Sequence, residues 1–395
     1  MASLRTAYNI QDLAEMARRR IPAGLFEFIE RGAEDEVTTR ENEASIKRTL
    51  IRQRVGVDVS KRDLSTTVFG VRQTMPVGVG VTGLVGMLAF EGEYQIARAA
   101  AAAGVPYTLG NSNFASLAKC KEICGDLLWR QLYPLQQRIM DHHIALAKEV
   151  GVKVLVVTMD SAVNGNREYM FRNGFMPGMT NFTSYRQMLA RPHWLLGTIG
   201  RYMLNGGLPQ LEDMPEGERV FFAKGKNMLP SRPSFPVPSF SWERLRELRR
   251  AWPDVLVVKG ISTPEDACTA VECGADGIIV SNHGGRSLDG CVPSFGALPG
   301  VLDAVGHKAT VMVDGSFKRG ADILKAIAAG ASCVLVGRAT TFGLAAGGQA
   351  GVARALAILA SEMDRALALM GCTRIEQLSR DMLQFYDPHS DYGFR

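Results

Sequence analysis

A chain of 395 residues, 46% apolar and 22% charged, can hold one large α/β barrel or two ordinary domains with a full core. Its net charge of +5 is modest for that length and argues against a nucleic-acid footprint. Seven cysteines, spread from Cys120 to Cys372, do not make a disulfide framework.

Cys120 and Cys124 lie one helical turn apart but lack a companion Cys/His pair at ligand spacing, so packing is expected of them and no metal. The first ten residues have no basic-then-apolar leader pattern, and no run reaches the roughly 18–20 apolar residues that span a bilayer. A cytoplasmic protein is expected, at most peripheral to a membrane face.

Residues 1–70 read as a helical segment. Ile10, Leu13, Met16 and Ala17 keep a helical rhythm, Pro22 opens a second helix carrying Phe26, Phe28 and Ile29, and Gly32 is a candidate C-cap. From Met75 a new grammar begins, in which short apolar runs precede helical stretches. Strands are predicted at Val77–Val81, Pro106–Leu109, Leu127–Leu132, Val154–Thr158, Val255–Lys259, Gly277–Ser281, Thr310–Val313 and Cys333–Val336. Helices are predicted over 93–103, 117–123, 136–150, 264–272, 297–305, 320–329 and 347–370. Eight strands, most of them trailed by a helix, predict a (β/α)₈ TIM barrel, one domain over 1–395.

The rhythm fails for roughly 95 residues between Asp160 and Val255, which predicts an insertion over the barrel mouth, its lid at 170–240. Within it, Tyr185–Leu204 is apolar and aromatic, with only basic charges at Arg186, Arg191 and Arg201. This stretch is either a lid helix or an interfacial membrane segment, and Pro192, Gly197 and Gly200 are expected to break it. Residues 229–238 form a proline-rich return path.

Gly78-Val-Gly80-Val-Thr82-Gly83 matches a dinucleotide fingerprint. However, no Asp or Glu occurs from residue 94 to 121, where the ribose-binding acid belongs, and the glycines lie inside the apolar run. These glycines instead let a flat ring approach the strand end.

Chemistry is expected at the carboxyl ends of the strands. Ile278–Val280 runs into Ser281-Asn282-His283-Gly284-Gly285-Arg286-Ser287-Leu288-Asp289, placing a histidine three residues before an arginine. Asp160 could orient His283 and stabilise its conjugate acid. Arg167 and Arg286 suit bidentate carboxylate binding. Lys259, closing an apolar strand, needs an anion beside it. Asp314–Gly320 and Val336-Gly337-Arg338, after the last two strands, are candidate phosphate loops with Lys318, Arg319 and Arg338 adding charge.

These residues resemble the FMN-dependent 2-hydroxy-acid oxidases and dehydrogenases, and within them the (S)-mandelate dehydrogenase branch. The resemblance runs from the Arg31–Glu36 tract to Gly371-Cys372. Ser281–Arg286 is its most specific motif, with support from Gln131-Leu132-Tyr133, Val258-Lys259-Gly260 and Asp314-Gly315. It implies FMN as cofactor, His283 as base, Arg167 and Arg286 on the substrate carboxylate, and Tyr133 on the substrate oxygen. Asp160 would support His283, and Lys259 would stabilise the reduced flavin. Thr82, Gly83, Gln131 and Thr158 would contact the ring system, and Asp314, Gly315, Lys318, Gly337 and Arg338 the ribityl phosphate.

The resemblance also implies a homotetramer. A glycine at position 83 and the 185–204 insertion lean towards a dehydrogenase that passes electrons to a membrane quinone. The alternatives are an oxidase releasing H₂O₂, a tailoring enzyme of secondary metabolism, and a non-catalytic flavin- or phosphate-binding barrel. The chain departs from the family pattern at Phe28, in place of a tyrosine on the substrate side, and at Gly110, Val81, Lys318 and Ser287. An aryl, mandelate-like substrate is expected.

Overall fold

Every apolar run expected as a barrel strand forms one. In the computed structural model, which describes residues 4–176, 179–180, 182–216, 218–219 and 237–385, eight parallel strands close into a barrel. They are β1 (Val77–Val79), β2 (Tyr107–Leu109), β3 (Leu128–Leu132), β4 (Val154–Thr158), β5 (Val255–Ile261), β6 (Gly277–Val280), β7 (Thr310–Asp314) and β8 (Cys333–Val336). Each pairs with the next, and β8 pairs with β1.

Side chains alternate along each strand, so the register decides what faces the barrel axis. Trp129, Val154, Val156, Val257, Ile279, Met312, Cys333 and Leu335 form one buried cluster, apart from the larger core under the helices. That cluster fills the lower barrel interior. A hairpin (Thr66–Val68 with Val71–Gln73) plugs its floor, and Phe69 packs edge-on against Trp129 with ring centroids 5.7 Å apart. Two residues further along each strand, the same inward register brings Gly80, Gly110, Gln131, Thr158, Lys259, Ser281, Asp314 and Gly337 to the mouth.

The expected helical segment 1–70 is helical only as far as Arg48: Thr49–Ile51 is a strand paired with Leu383–Phe385, and Thr66–Val68 opens the floor hairpin. Asn9 caps helix Ile10–Arg20 in a reciprocal box with Asp12, and this helix packs on helix Arg338–Leu369. Gly32 does not cap its helix. A Cβ there would stand 2.4 Å from Thr39 Oγ1 and 2.7 Å from Gly285 O, so the glycine serves a close approach to the β6 loop.

Three further expectations change. Helix Trp242–Ala251 completes the unit after β4 and shortens the insertion; only Leu245 and Leu248 are buried in it, so its apolar signal is faint. The last helix starts at Arg338 rather than 347 and bends at Gly347–Gly348. It is the one helix among the described residues long and apolar enough to cross a membrane, but 61% of its apolar window is buried in the fold. Finally, Pro192 does separate helix Phe182–Leu189 from the rest of the insertion, whereas Gly197 and Gly200 break nothing. Pro192–Trp194, a π-helical turn at Leu195–Gly200 and Arg201–Leu204 run on continuously. The return path over 229–238 lies mostly outside the described residues.

Candidate active site

The loop after β6 is built residue by residue. His283, Gly284 and Gly285 have φ of 58°, 62° and 74°, three left-handed residues in a row. For a histidine this conformation costs about 1–2 kcal/mol. The neighbours hold it there: Ser281 Oγ accepts the His283 N–H at 3.0 Å. Asn282 and Asn42 exchange side-chain hydrogen bonds of 2.9 and 2.8 Å, and Ala33 N–H donates to Gly285 O at 2.7 Å. Asp289 then accepts the N–H groups of Val37 and Thr38, which ties helix Val37–Arg48 to the loop.

The result aims His283 across the mouth. Its Nδ1 lies 2.8 Å from Asp160 Oδ1, and its Nε2 lies 3.2 Å from the Tyr133 hydroxyl. The carboxylate on Nδ1 favours a proton there and leaves Nε2 as the free base. Burial lowers the imidazole pKa below its ordinary value, partly opposed by Asp160. Burial alone would raise the Asp160 pKa, but His283, Lys259 and the hydrogen bonds it receives bring it below the carboxylate range. Lys259 Nζ donates to Ser281 Oγ at 2.7 Å and lies 3.2 Å from Asp314 Oδ2 and 3.9 Å from Asp160 Oδ2. Despite its burial, those two carboxylates raise its pKa, and the ammonium persists. Burial likewise keeps the Tyr133 phenol protonated.

Two guanidiniums stand beside this base. Arg286 Nη1 donates to Phe28 O and Arg31 O at 2.7 and 2.9 Å, and Arg167 Nε donates to Arg286 O at 3.2 Å. Among the described residues neither has a carboxylate partner. Burial, followed by the repulsion of Arg286, pushes Arg167 down to about 10. Such a pair favours an anion arriving from outside. Phe28 offers its ring to Arg286 at 5.1 Å and has no hydroxyl to give.

The mouth also suits a flat cofactor. Gly337, Gly80 and Gly110 follow three adjacent strands, β8, β1 and β2, and leave three of the eight rim positions without side chains. Gln131 Nε2 donates to Thr158 Oγ1 at 2.9 Å, yet Gln131 Oε1, Asp314 Oδ1 and Ser316 Oγ are buried without partners. Orphaned acceptors on the inward register match a polar ring and its ribityl chain. Thr82 and Gly83 follow β1, with Thr82 Oγ1 3.5 Å from where a Cβ on Gly337 would be.

The phosphate residues are placed differently from one another. Lys318 Nζ pairs with Glu43 at 2.5 Å and Arg319 with Glu362 at 3.0 Å. Glu362 also accepts the Gly320 N–H, and Asp322 those of Lys318 and Arg319. The cations opening helix Gly320–Ala329 thus have internal partners, and they no longer require an external anion. Arg338 reaches back to Glu30 O and Gly284 O at 2.9 and 3.0 Å.

Two residues escaped the motif reading, and so did the role of Ser281 within its motif. Ser161 bridges Asp160 and His283 Nδ1 at 3.0 and 3.3 Å, Ser281 anchors Lys259, and Tyr169 packs under Arg31. The inward register of β6 could have found Ser281, but nothing in the sequence marks the other two.

A parallel barrel with an oriented histidine, paired arginines and a glycine-lined arc of its rim is the architecture of a flavin-dependent enzyme acting on small acids. Residues 17–385 match the FMN-dependent dehydrogenase family. The chain is 37% identical over 378 residues to the (S)-mandelate dehydrogenase of Pseudomonas putida, covering 95% of this chain and 94% of that one. It is 39% identical over 376 residues to an L-lactate dehydrogenase of Caulobacter sp. strain K31, covering 94% and 97%. A crystal structure of the monotopic membrane protein (S)-mandelate dehydrogenase superposes with a TM-score of 0.88 at 38% identity, over 96% and all of the two chains. The chain belongs to the FMN-dependent dehydrogenase family and is an FMN-using enzyme of the hydroxy-acid dehydrogenase type.

Proposed function

We propose that the protein oxidises an aryl 2-hydroxy acid of the mandelate type to its 2-oxo acid and passes the electrons to a quinone-type acceptor. The observation that carries this reading is the juxtaposition of His283, oriented by Asp160, with two partly buried guanidiniums that lack a carboxylate partner among the described residues. An α-hydroxy carboxylate presents the two matching features, an anion and a proton to be removed one carbon away.

FMN, when bound, supplies the two-electron acceptor. Arg167 and Arg286 hold the substrate carboxylate and so fix the hydroxyl-bearing carbon against His283. Tyr133 hydrogen-bonds the substrate oxygen. His283 Nε2 takes the proton, and Asp160 on Nδ1 stabilises the imidazolium that forms. Lys259, kept cationic by Asp314 and Asp160, offers positive charge where the reduced cofactor gains negative charge. Gln131, Thr158, Thr82 and Gly83 are assigned to the ring, and Asp314, Gly315, Gly337, Arg338 and Lys318 to the ribityl phosphate, with Lys318 exchanging Glu43 for it. The apolar ring of Phe28 supports an aryl substituent over a short aliphatic one.

The quinone reading rests on the insertion. Helix Phe182–Leu189 exposes Phe182, Tyr185 and Leu189, and the helix after it exposes Leu196, Met203 and Leu204. The segment 182–204 carries Arg186, Arg191 and Arg201 and no acid. An apolar face edged only by cations suits the anionic inner leaflet of a membrane. A homotetramer is carried over from the family resemblance and is checked by light scattering.

The deciding experiment mixes the FMN-loaded protein anaerobically with a panel of 2-hydroxy acids and then admits oxygen. Bleaching by (S)-mandelate with slow recolouring is expected. Bleaching by aliphatic acids alone would overturn the aryl substrate, and fast recolouring would turn the acceptor to oxygen.

A further inference from the structure

The carboxylate end of the site holds one group that the base chemistry does not use. Tyr169 belongs to helix Glu168–Asn173, two residues beyond Arg167. It is 4% exposed, and its hydroxyl is buried with no hydrogen-bond partner. Arg31 lies over its ring at 5.1 Å, which fixes the phenol against the end of helix Ala23–Glu30. The hydroxyl is in electrostatic reach of Arg31, Arg167 and Arg338, and Tyr133 acts on Arg167 as well.

A buried phenol without a partner is costly, and the identity of its neighbours says what is missing. Guanidiniums are donors only, so a phenol O–H among them finds no acceptor for its proton. An anion bridging Arg167 and Arg286 would supply one. Phe28, on the neighbouring helix, turns a ring towards Arg286 and has no hydroxyl to offer that anion.

We propose that Tyr169 donates its hydroxyl proton to the substrate carboxylate beside Arg167 and Arg286, in place of a phenol at position 28. The assignment rests on the 2-hydroxy-acid reading above. It makes Tyr169 a binding residue that discriminates a carboxylate from its neutral analogues.

The test uses the FMN-loaded protein and follows flavin absorbance on titration with phenylglyoxylate and with its neutral amide. Tyr169→Phe should weaken phenylglyoxylate about tenfold, the scale of one hydrogen bond to a charged group. The amide should change less than twofold, and with (S)-mandelate the loss should fall on KM more than on the limiting rate. Adding Phe28→Tyr to that variant should recover most of the affinity. Unchanged phenylglyoxylate affinity, or equal weakening of acid and amide, overturns the proposal. Should Tyr169→Phe not retain FMN, single Phe28→Tyr tests the same contact. A gain under twofold means Tyr169 already serves the anion, and a tenfold gain means that it does not. Failure of the unmodified protein to bind any carboxylate would remove the 2-hydroxy-acid reading itself, an outcome visible before any variant is made.

Discussion

The barrel mouth and the helical insertion solve opposite problems with the same chain. At the mouth, polar groups sit on the ends of paired strands, and nearly every one has a fixed partner: His283 with Asp160, Lys259 with Asp314, Gln131 with Thr158. In the insertion, helix Pro192–Leu204 turns Trp194, Thr198 and Tyr202 onto the loop after β1. Trp194 Nε1 donates to Met87 O at 2.9 Å, and the Tyr202 hydroxyl to Gly86 O at 3.3 Å. It leaves aliphatics outward, with Leu196 71% and Leu204 86% exposed. The mouth is preorganised for chemistry, and the insertion presents an apolar outer face. In the proposed reading, reaction class follows from the first region, and location and electron acceptor from the second.

If the two regions divide the work in this way, variants at the mouth should stop the reaction without moving the protein. His283→Asn should slow flavin reduction by about 10²–10⁴-fold while FMN stays bound and vesicle association is unchanged. With His283 as the proposed base, the neutral imidazole is the active form, and burial holds its pKa below the ordinary value. The reduction rate should thus rise with pH through an acid limb below about 6.5 and then level off. Asp160 raises that pKa, so Asp160→Ala should push the limb to lower pH and lower the plateau. A limb that moves up would break the assignment.

One tie joins the regions. Buried Arg130, next to Gln131 on β3, donates to Asp213 Oδ2 at 2.9 Å and to Gly110 O at 3.2 Å, and Asp213 also accepts the Leu117 N–H. Asp213→Ala strands a buried guanidinium and should cost about 3–5 kcal/mol, read as a fall in the urea midpoint. Arg130→Met with Asp213→Leu should recover part of it. Additive losses would mean that the pair is not coupled.

The two regions also differed in how much the sequence disclosed. All eight strands were legible, because strands buried on both faces write continuous apolar runs such as Val154–Val157 and Ile278–Val280. The Ser281–Arg286 motif was legible because each of its residues answers a separate backbone or side-chain demand. Helix Trp242–Ala251 was not, since its short stripe of Trp242, Leu245 and Leu248, though helically spaced, is set in a run of arginines and glutamates with little apolar content. Gly197 and Gly200 misled because a π-helical turn absorbs them without a break. Ser161 and Tyr169 were invisible because the partners that give them a role, His283 for one and Arg31 for the other, come from distant segments.

Variants of the insertion should do the reverse of those at the mouth. Replacing Leu196, Met203 and Leu204 by serine removes apolar area that faces outward. Binding to vesicles of mixed anionic lipid should fall by tenfold or more, with anaerobic reduction by (S)-mandelate unaltered. Equal vesicle binding would leave the exposed face without a membrane role.

The smallest expected effect lies at Val81 and Gly110, two positions where the sequence reading expects a departure from the family pattern. A Cβ on Gly110 would stand 3.0 Å from Val81 Cγ2 and 3.2 Å from Gln131 Oε1. The two departures are therefore one: the valine methyl fills space that a side chain at 110 would need. Gly110→Ser alone must displace either Val81 or the side-chain amide oxygen of Gln131, at a cost of about 1 kcal/mol, the low end for overpacking a fitted site. Val81→Ala alone leaves a small cavity. Combined, the changes should cancel in part, with FMN retention and melting temperature both closer to the unmodified protein than the sum of single effects. Strict additivity would show that Val81 and Gly110 do not share that space, and the glycine rim would then be explained by the cofactor alone.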